Sequence, residues 1–167
     1  LTIEAGERAK RMPAVEALLE AASALRAERG DAWVAIGGGT TGDLVGTAAA
    51  LYLRGAPLIG LPTTWLALSD SALGGKVAVD LSGAKNAAGA FWPPVAVIGD
   101  VYTLRTLPTA LLRDGLAEVI KSAIIGDPWL WELLETRDVA ALGSGEGEAD
   151  EAARYAMVER SMRLKLG

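Results

Sequence analysis

The stretch Ala32-Trp33-Val34-Ala35-Ile36-Gly37-Gly38-Gly39-Thr40-Thr41-Gly42-Asp43 decides the fold. Residues 32–36 form an apolar run of strand length that leads directly into three glycines. Residues 44–53 then read as a helix rich in small side chains, closed by Gly55. A second apolar run, 58–61, ends at Pro62, and a third, 95–98, ends at Gly99-Asp100. Strand, glycine turn, helix and strand in this order are the βαβ grammar of a parallel sheet. Glycines at such a turn let the backbone approach a phosphate closely. The helix start behind them offers free N–H groups and a favourable dipole. The other reading is a tight turn with no ligand. The pattern is neither the dinucleotide fingerprint nor the Walker loop, whose Lys is missing here.

Upstream, Val15, Leu18, Leu19, Ala22 and Leu25 recur at helical spacing over 14–28, with Gly30 as the expected stop. Downstream, 62–94 is loop-rich, and 76–80 has the makings of a short hairpin strand. From Thr106 the pattern turns helical. Pro108 suits a first-turn position, and Asp127-Pro128 reads as an N-cap followed by N1. Residues 140–150 form a Gly-, Ser- and acid-rich linker. A last helix spans 151–166, with Tyr155, Val158, Met162 and Leu166 along one side. The expected division is therefore an α/β part, 1–106, and a helical part, 107–167. The few strands and the abrupt last helix point to a portion of a longer fold.

At 167 residues, with 51% hydrophobic and 22% charged side chains, the chain is globular in composition. Its 20 glycines, about 12% against a usual 7% or so, crowd into the first half, where they serve backbone geometry. A net charge of -5 without a basic run disfavours nucleic acid and anionic membrane as partners. The absence of Cys excludes disulfides and thiolate metal sites. The absence of His leaves metal or general-base chemistry to Asp, Glu and Lys, or to residues beyond this chain. No leader or membrane span is legible, so a cytoplasmic protein is expected.

Three sets of side chains could carry chemistry besides the glycine turn. Thr63 and Thr64 follow a strand's carboxyl end, where open α/β sheets bind ligands, although threonines there are often only turn formers. Lys76, after Gly74-Gly75, and Lys85-Asn86 could neutralise a phosphate and a carboxylate, or be solvated surface residues. Glu118 and Lys121 lie three apart on one helix face among apolar neighbours. They read as a metal ligand with a substrate anchor, or as an ordinary intrahelical ion pair.

Taken in order, Gly6-Glu7-Arg8-Ala9-Lys10, Gly37 to Asp43, Tyr52-Leu53-Arg54-Gly55, Pro62-Thr63-Thr64, Asp70-Ser71, Gly74-Gly75-Lys76, Lys85-Asn86, Gly89-Ala90-Phe91, Thr106-Leu107-Pro108 and Gly115-Leu116-Ala117-Glu118-Val119-Ile120-Lys121 resemble the 3-dehydroquinate synthase family. The resemblance is strong over about 5–125 and weaker from Arg160 to Gly167. It implies a Rossmann-like dinucleotide-binding α/β part followed by the start of an all-helical domain. It implies conversion of 3-deoxy-D-arabino-heptulosonate 7-phosphate to 3-dehydroquinate and phosphate. The steps would be transient oxidation by NAD, phosphate elimination and intramolecular aldol closure, in the shikimate pathway. Related sugar-phosphate cyclases, making 2-deoxy-scyllo-inosose or epi-valiolone, and NAD-dependent polyol dehydrogenases are the rival enzymes, and a cofactor-binding scaffold is the non-enzymatic rival.

By the same resemblance Glu7, Lys10, Gly38, Gly39, Thr40, Thr41, Gly42, Asp43, Thr63 and Thr64 would contact NAD, with Thr103, Leu104 and Thr106 closing over it. Asp70, Lys76 and Lys85 would be shared between nicotinamide and substrate. Arg54 and Asn86 would contact the substrate's phosphate and hydroxyls, and Lys121 and Lys165 would bind the substrate. Glu118 would be the carboxylate ligand of Zn2+ or Co2+, with two His ligands outside this segment. A first βαβ unit and a C-terminal part are expected beyond the segment, which alone would be inactive, and a homodimer is implied. The family's usual Thr-Gly-Val-Asn is here Val77-Ala78-Val79-Asp80.

Overall fold

The computed structural model describes residues 1–137 and 148–167; most of the expected linker, 140–147, lies outside the described residues. Contacts divide the chain into two compact units. The first is Leu1–Pro62 with Gly75–Ile98, and the second is Thr63–Gly74 with Gly99–Gly167. The sequence places the change of character at Thr106. The contacts group 99–106 and 63–74 with the helices instead.

The first unit contains α1 (Met12–Ala24), β1 (Trp33–Gly37), α2 (Gly39–Leu51), β2 (Leu58–Pro62), β3 (Lys76–Leu81), β4 (Ala84–Phe91) and β5 (Ala96–Val97). The parallel sheet runs in the order β1-β2-β5, with Trp33 opposite Leu58 and Ile59 opposite Ala96. β3 and β4 form a separate antiparallel hairpin, irregular between Val79 and Leu81. The core joins Val15 and Leu18 of α1, Leu44, Val45, Ala48 and Ala49 of α2, Leu58 of β2 and Val79 of β3. Removing one such Leu or Val from water contributes about 1.5–3 kcal/mol. Small residues let α2 lie close to the hairpin: a Cβ on Gly46 would run into the Val77 side chain.

Several boundaries differ from the expected ones, each for a local reason. α1 ends at Ala24, before Gly30, because Arg26 takes a left-handed φ of 56° and Ala27 N–H turns back to the Ala22 carbonyl at 3.0 Å. α2 begins at Gly39, so the Gly-Thr-Thr-Gly segment is its first turn. These are weak helix formers, and the buried face from Leu44 to Ala49 carries them into the helix. Lys85 and Asn86, expected in a loop, lie on β4.

The second unit contains a π-helical turn at Ala67–Ser71, a 3-10 helix at Val101–Thr106, and α3 (Thr109–Gly126), α4 (Pro128–Thr136) and α5 (Glu148–Leu166). Its core gathers Trp65, Leu68, Leu104, Leu112, Val119, Leu130, Met157 and Val158. Gly115 allows the closest approach in it, since a Cβ there would lie 2.5 Å from the Trp65 Cβ and 2.8 Å from the Leu66 amide nitrogen. Asp127 caps α4 as the sequence predicts, accepting from the Trp129 and Leu130 N–H groups at 3.1 Å each. Arg160 binds the same carboxylate at 2.8 and 3.0 Å. On α5 the buried stripe is Ala153, Met157, Val158 and Ser161. Of the four residues expected along one side, Val158 is buried, whereas Tyr155 is 59% and Leu166 68% exposed. The buried face is thus rotated from the predicted one, because small side chains, Ala153 and Ser161, hold the inner positions.

Candidate functional site

Each unit holds one cluster of the predicted side chains. In the first unit the glycine turn comes straight off β1. Gly37 has φ 155°, and a Cβ on it would come 2.6 Å from the Thr41 hydroxyl. Gly38 is the N-cap of α2 and gives no side-chain cap, so the first-turn N–H groups stay open to a ligand. Thr40, Thr41, Gly42 and Asp43 lie within the first five residues of that helix.

Lys10 is the hub of this cluster. Only 4% exposed, it sends its ammonium to Asp43 at 2.5 Å and to Asn86 Oδ1 at 2.5 Å. Glu7 is 3.8 Å from Lys10 and 3.9 Å from Lys85, and it accepts from the Thr40 hydroxyl at 3.1 Å. Burial, first, raises the Asp43 carboxyl above the ordinary carboxylate range. The Lys10 hydrogen bond and charge and the Ala78 N–H pull it back without cancelling the rise. Asp80, which the sequence did not single out, belongs to the same cluster. Its carboxylate accepts from the Asn86 N–H at 2.7 Å, and its own N–H donates to the Lys10 carbonyl at 2.9 Å. A buried acid breaking the Val77, Val79 alternation of β3 was the signal available.

Two further predicted residues of the first unit take no part in that bonding. Lys76 is exposed at the start of β3, following Gly74 and Gly75 with φ 85° and 68°. Arg54 is exposed on a turn in which it and Leu53 both have left-handed φ, 66° and 48°. That turn is braced by Trp92 Nε1 donating to the Ala56 carbonyl at 2.9 Å and by Arg29 Nε donating to the Gly55 carbonyl at 3.3 Å.

In the second unit Asp70, Glu118, Lys121 and Lys165 meet around a cavity of about 250 Å³, completed by Ser69, Ser122, Ile125 and Leu164. Lys165 pairs with Asp70, and Lys121 with Glu118. The Glu118 hydrogen bond, first, holds the Lys121 ammonium above its ordinary pKa, with burial opposing it. The helix geometry explains the meeting. Leu112, Gly115, Val119 and Ala123 bury one face of α3, and the close approach at Gly115 sets that helix against the segment that carries Asp70. The cavity contains two carboxylates and two ammonium groups, a balanced lining that an anionic ligand or a cation could redistribute. A larger depression, about 610 Å³, is lined by Asp100, Glu148 and Glu151 with Tyr102 and Tyr155. Its three carboxylates suit an anionic ligand poorly.

Thr63 and Thr64 are half-buried, and Thr64 Oγ1 accepts from the Ala67 N–H at 3.3 Å. Thr103 and Thr106 donate to the carbonyls of Asp100 at 2.6 Å and Thr103 at 3.3 Å. Leu104 is fully buried in the core of its unit, so only its backbone is available to a ligand. Among the described residues no group of three ligand-type side chains could hold a metal ion. No described helix is long and apolar enough to cross a membrane.

Comparison with known proteins gives a consistent picture. The family model described as 3-dehydroquinate synthase N-terminal matches residues 1–114. A 3-dehydroquinate synthase of Xanthomonas campestris pv. campestris is 46% identical over 165 residues, 99% of this chain and 43% of that protein. A 2-epi-valiolone synthase of Actinosynnema mirum is 46% identical over 133 residues, 80% of this chain and 35% of that protein. The solved structure of a 2-epi-5-epi-valiolone synthase from Streptomyces hygroscopicus, with NAD+ and Zn2+ bound, superposes with a TM-score of 0.90 at 32% identity, covering 98% of this chain and 45% of that one. The α/β fold with a parallel sheet, expected from the sequence, is the fold of that enzyme. The chain spans less than half the length of each of these proteins.

Proposed function

Because this chain belongs to the 3-dehydroquinate synthase family, we propose that the complete protein converts 3-deoxy-D-arabino-heptulosonate 7-phosphate to 3-dehydroquinate and phosphate, using NAD and a divalent metal. The observation that supports this reading most is the cavity of the second unit. There two ammonium groups, Lys121 and Lys165, wait on two carboxylates, Glu118 and Asp70. A doubly anionic sugar acid can take those ammonium groups over from their carboxylates, which a neutral polyol cannot.

NAD fits the first unit: Gly37 and Gly38 keep side chains away from the start of α2, and its N–H groups face a pyrophosphate without competition from a cap. When bound, NAD supplies the hydride acceptor that oxidises a substrate alcohol and gives the hydride back within one turnover. Glu7, Lys10, Thr40 and Asp43 hold the cofactor side in place through their mutual bonds. Lys76, Lys85, Asn86 and Arg54 carry the phosphate and hydroxyl contacts, Lys121 and Lys165 the carboxylate. Glu118 would supply one metal ligand. A single carboxylate does not make a catalytic metal site, so its other ligands come from outside the described residues.

A second cyclase reading has one specific support, the equal 46% identity to a 2-epi-valiolone synthase. The two readings separate in one assay. The complete protein, with NAD and Co2+ or Zn2+, is given 3-deoxy-D-arabino-heptulosonate 7-phosphate, sedoheptulose 7-phosphate or glucose 6-phosphate, and phosphate release is measured. The heptulosonate is expected to be preferred by about a hundredfold or more, the discrimination that an extra carboxylate partner supplies. Preference for either neutral sugar phosphate transfers the chain to a sister activity.

A further inference from the structure

Lys10, Asp80 and Asn86 close a ring of hydrogen bonds in the first unit. The Asp80 N–H donates to the Lys10 carbonyl at 2.9 Å. The Asn86 N–H donates to the Asp80 carboxylate at 2.7 Å, and the Lys10 ammonium donates to Asn86 Oδ1 at 2.5 Å. The ring ties three distant parts of the chain: the segment before α1, the end of β3 and the third residue of β4. Asn86 has a left-handed φ of 52°, a conformation that costs a non-glycine residue energy unless its surroundings enforce it. The enforcing partner is Asp80, 9% exposed, at the irregular end of the hairpin.

We propose that Asp80 is a positioning residue. By gripping the Asn86 backbone it fixes the direction of the Asn86 amide and, through it, the Lys10 ammonium, so that both meet the ligands ready-placed. Asp80 itself touches neither substrate nor cofactor. The chemistry it requires is an acceptor oxygen at Oδ1, which asparagine retains and alanine lacks. The proposal rests on the substrate role given above to Asn86, and its test separates the two.

The experiment uses the complete protein and the variants Asp80→Ala, Asp80→Asn, Asn86→Ala and Asp80→Ala/Asn86→Ala. Amide hydrogen exchange at Asn86 is expected to quicken by about tenfold or more in Asp80→Ala and by less than about threefold in Asp80→Asn, as loss of one charge-assisted bond requires. Phosphate release should fall by about 10- to 100-fold in kcat/KM in Asp80→Ala and recover to within about threefold in Asp80→Asn. In the double variant kcat/KM should be no lower than in Asn86→Ala alone, since a residue that acts through another adds nothing once that other is gone. Unchanged exchange at Asn86 in Asp80→Ala overturns the proposal, and so does a double variant in which the two losses multiply. If the unaltered protein releases no phosphate, the reading of function fails, while the exchange ratio still decides whether Asp80 holds Asn86.

Discussion

Lys10 and Lys121 are both lysines bound to a carboxylate, yet their surroundings differ in kind. The Lys10 side chain is 5% exposed, and its partners Asp43 and Asn86 come from a helix and a strand. The Lys121 side chain is 49% exposed, and its partner Glu118 sits one turn away on the same helix. A buried ammonium with several partners is part of the architecture, because removing it strands a carboxylate in a poorly solvated place. A half-exposed pair contributes little to stability, so its ammonium can change partners when an anion arrives. The first unit thus uses charge to hold a shape, and the second keeps charge available.

Lys10→Met puts this contrast under the heaviest load. It should cost about 3 kcal/mol in urea unfolding of the complete protein, as for other broken buried pairs. The cost should also depend on pH. Asp43 has its pKa raised above the ordinary 3.8 by burial, so its favourable share of stability is present below that value and is lost as pH rises through the folded pKa. Without Lys10 the rise is larger, and the penalty should grow between pH 4 and 7. A penalty independent of pH would show that Asp43 is not the stranded group.

Lys121→Met probes the opposite case. Phosphate release should fall by about a hundredfold or more in kcat/KM, the loss of a charge-assisted substrate contact. The unfolding free energy should move by less than about 0.5 kcal/mol. A large loss of stability would erase the distinction between the units.

Gly115→Ala sharpens the account of how the second cluster is assembled. The added methyl meets the Trp65 Cβ and the Leu66 backbone. We expect about 1–3 kcal/mol of destabilisation from overpacking, with a shift of α3 that lowers turnover beyond what the stability loss explains.

Asp127→Asn is the mildest test, a pinned charge in the second unit away from the cavity lining. Burial pushes its carboxyl up, but the Arg160 hydrogen bond and the capping N–H groups together bring it below the ordinary 3.8. Its stabilisation is therefore present above that value and lost as pH falls through the folded pKa. The substitution should cost about 1 kcal/mol near neutrality, and the difference from the unaltered protein should vanish as acid protonates Asp127. Differential scanning calorimetry across pH 2–7 checks it.

How much of this was legible in the sequence follows the same contrast. The parallel strands and the glycine turn could be read because apolar runs and glycines are local signals, and Asp127-Pro128 announced its own cap. The pairing of Glu118 with Lys121 followed from helix spacing alone. What could not be read needed distant parts of the chain. The β3–β4 hairpin looked like loop because residues 84–90 are short, polar or small, and its register is set by packing on α2. Asp80 drew no attention because its partners, Lys10 and Asn86, lie 70 residues back and six forward in the sequence. The meeting of Lys165 with Asp70 is likewise a product of how α5 packs, and only the family resemblance pointed to it.

The most direct measurement of the proposed activity follows phosphate and NADH together through single and multiple turnovers of the complete protein on 3-deoxy-D-arabino-heptulosonate 7-phosphate. The proposal predicts one phosphate per substrate consumed, with NADH absorbance returning to its starting level. NADH accumulating in step with substrate loss, or phosphate never appearing, would contradict it.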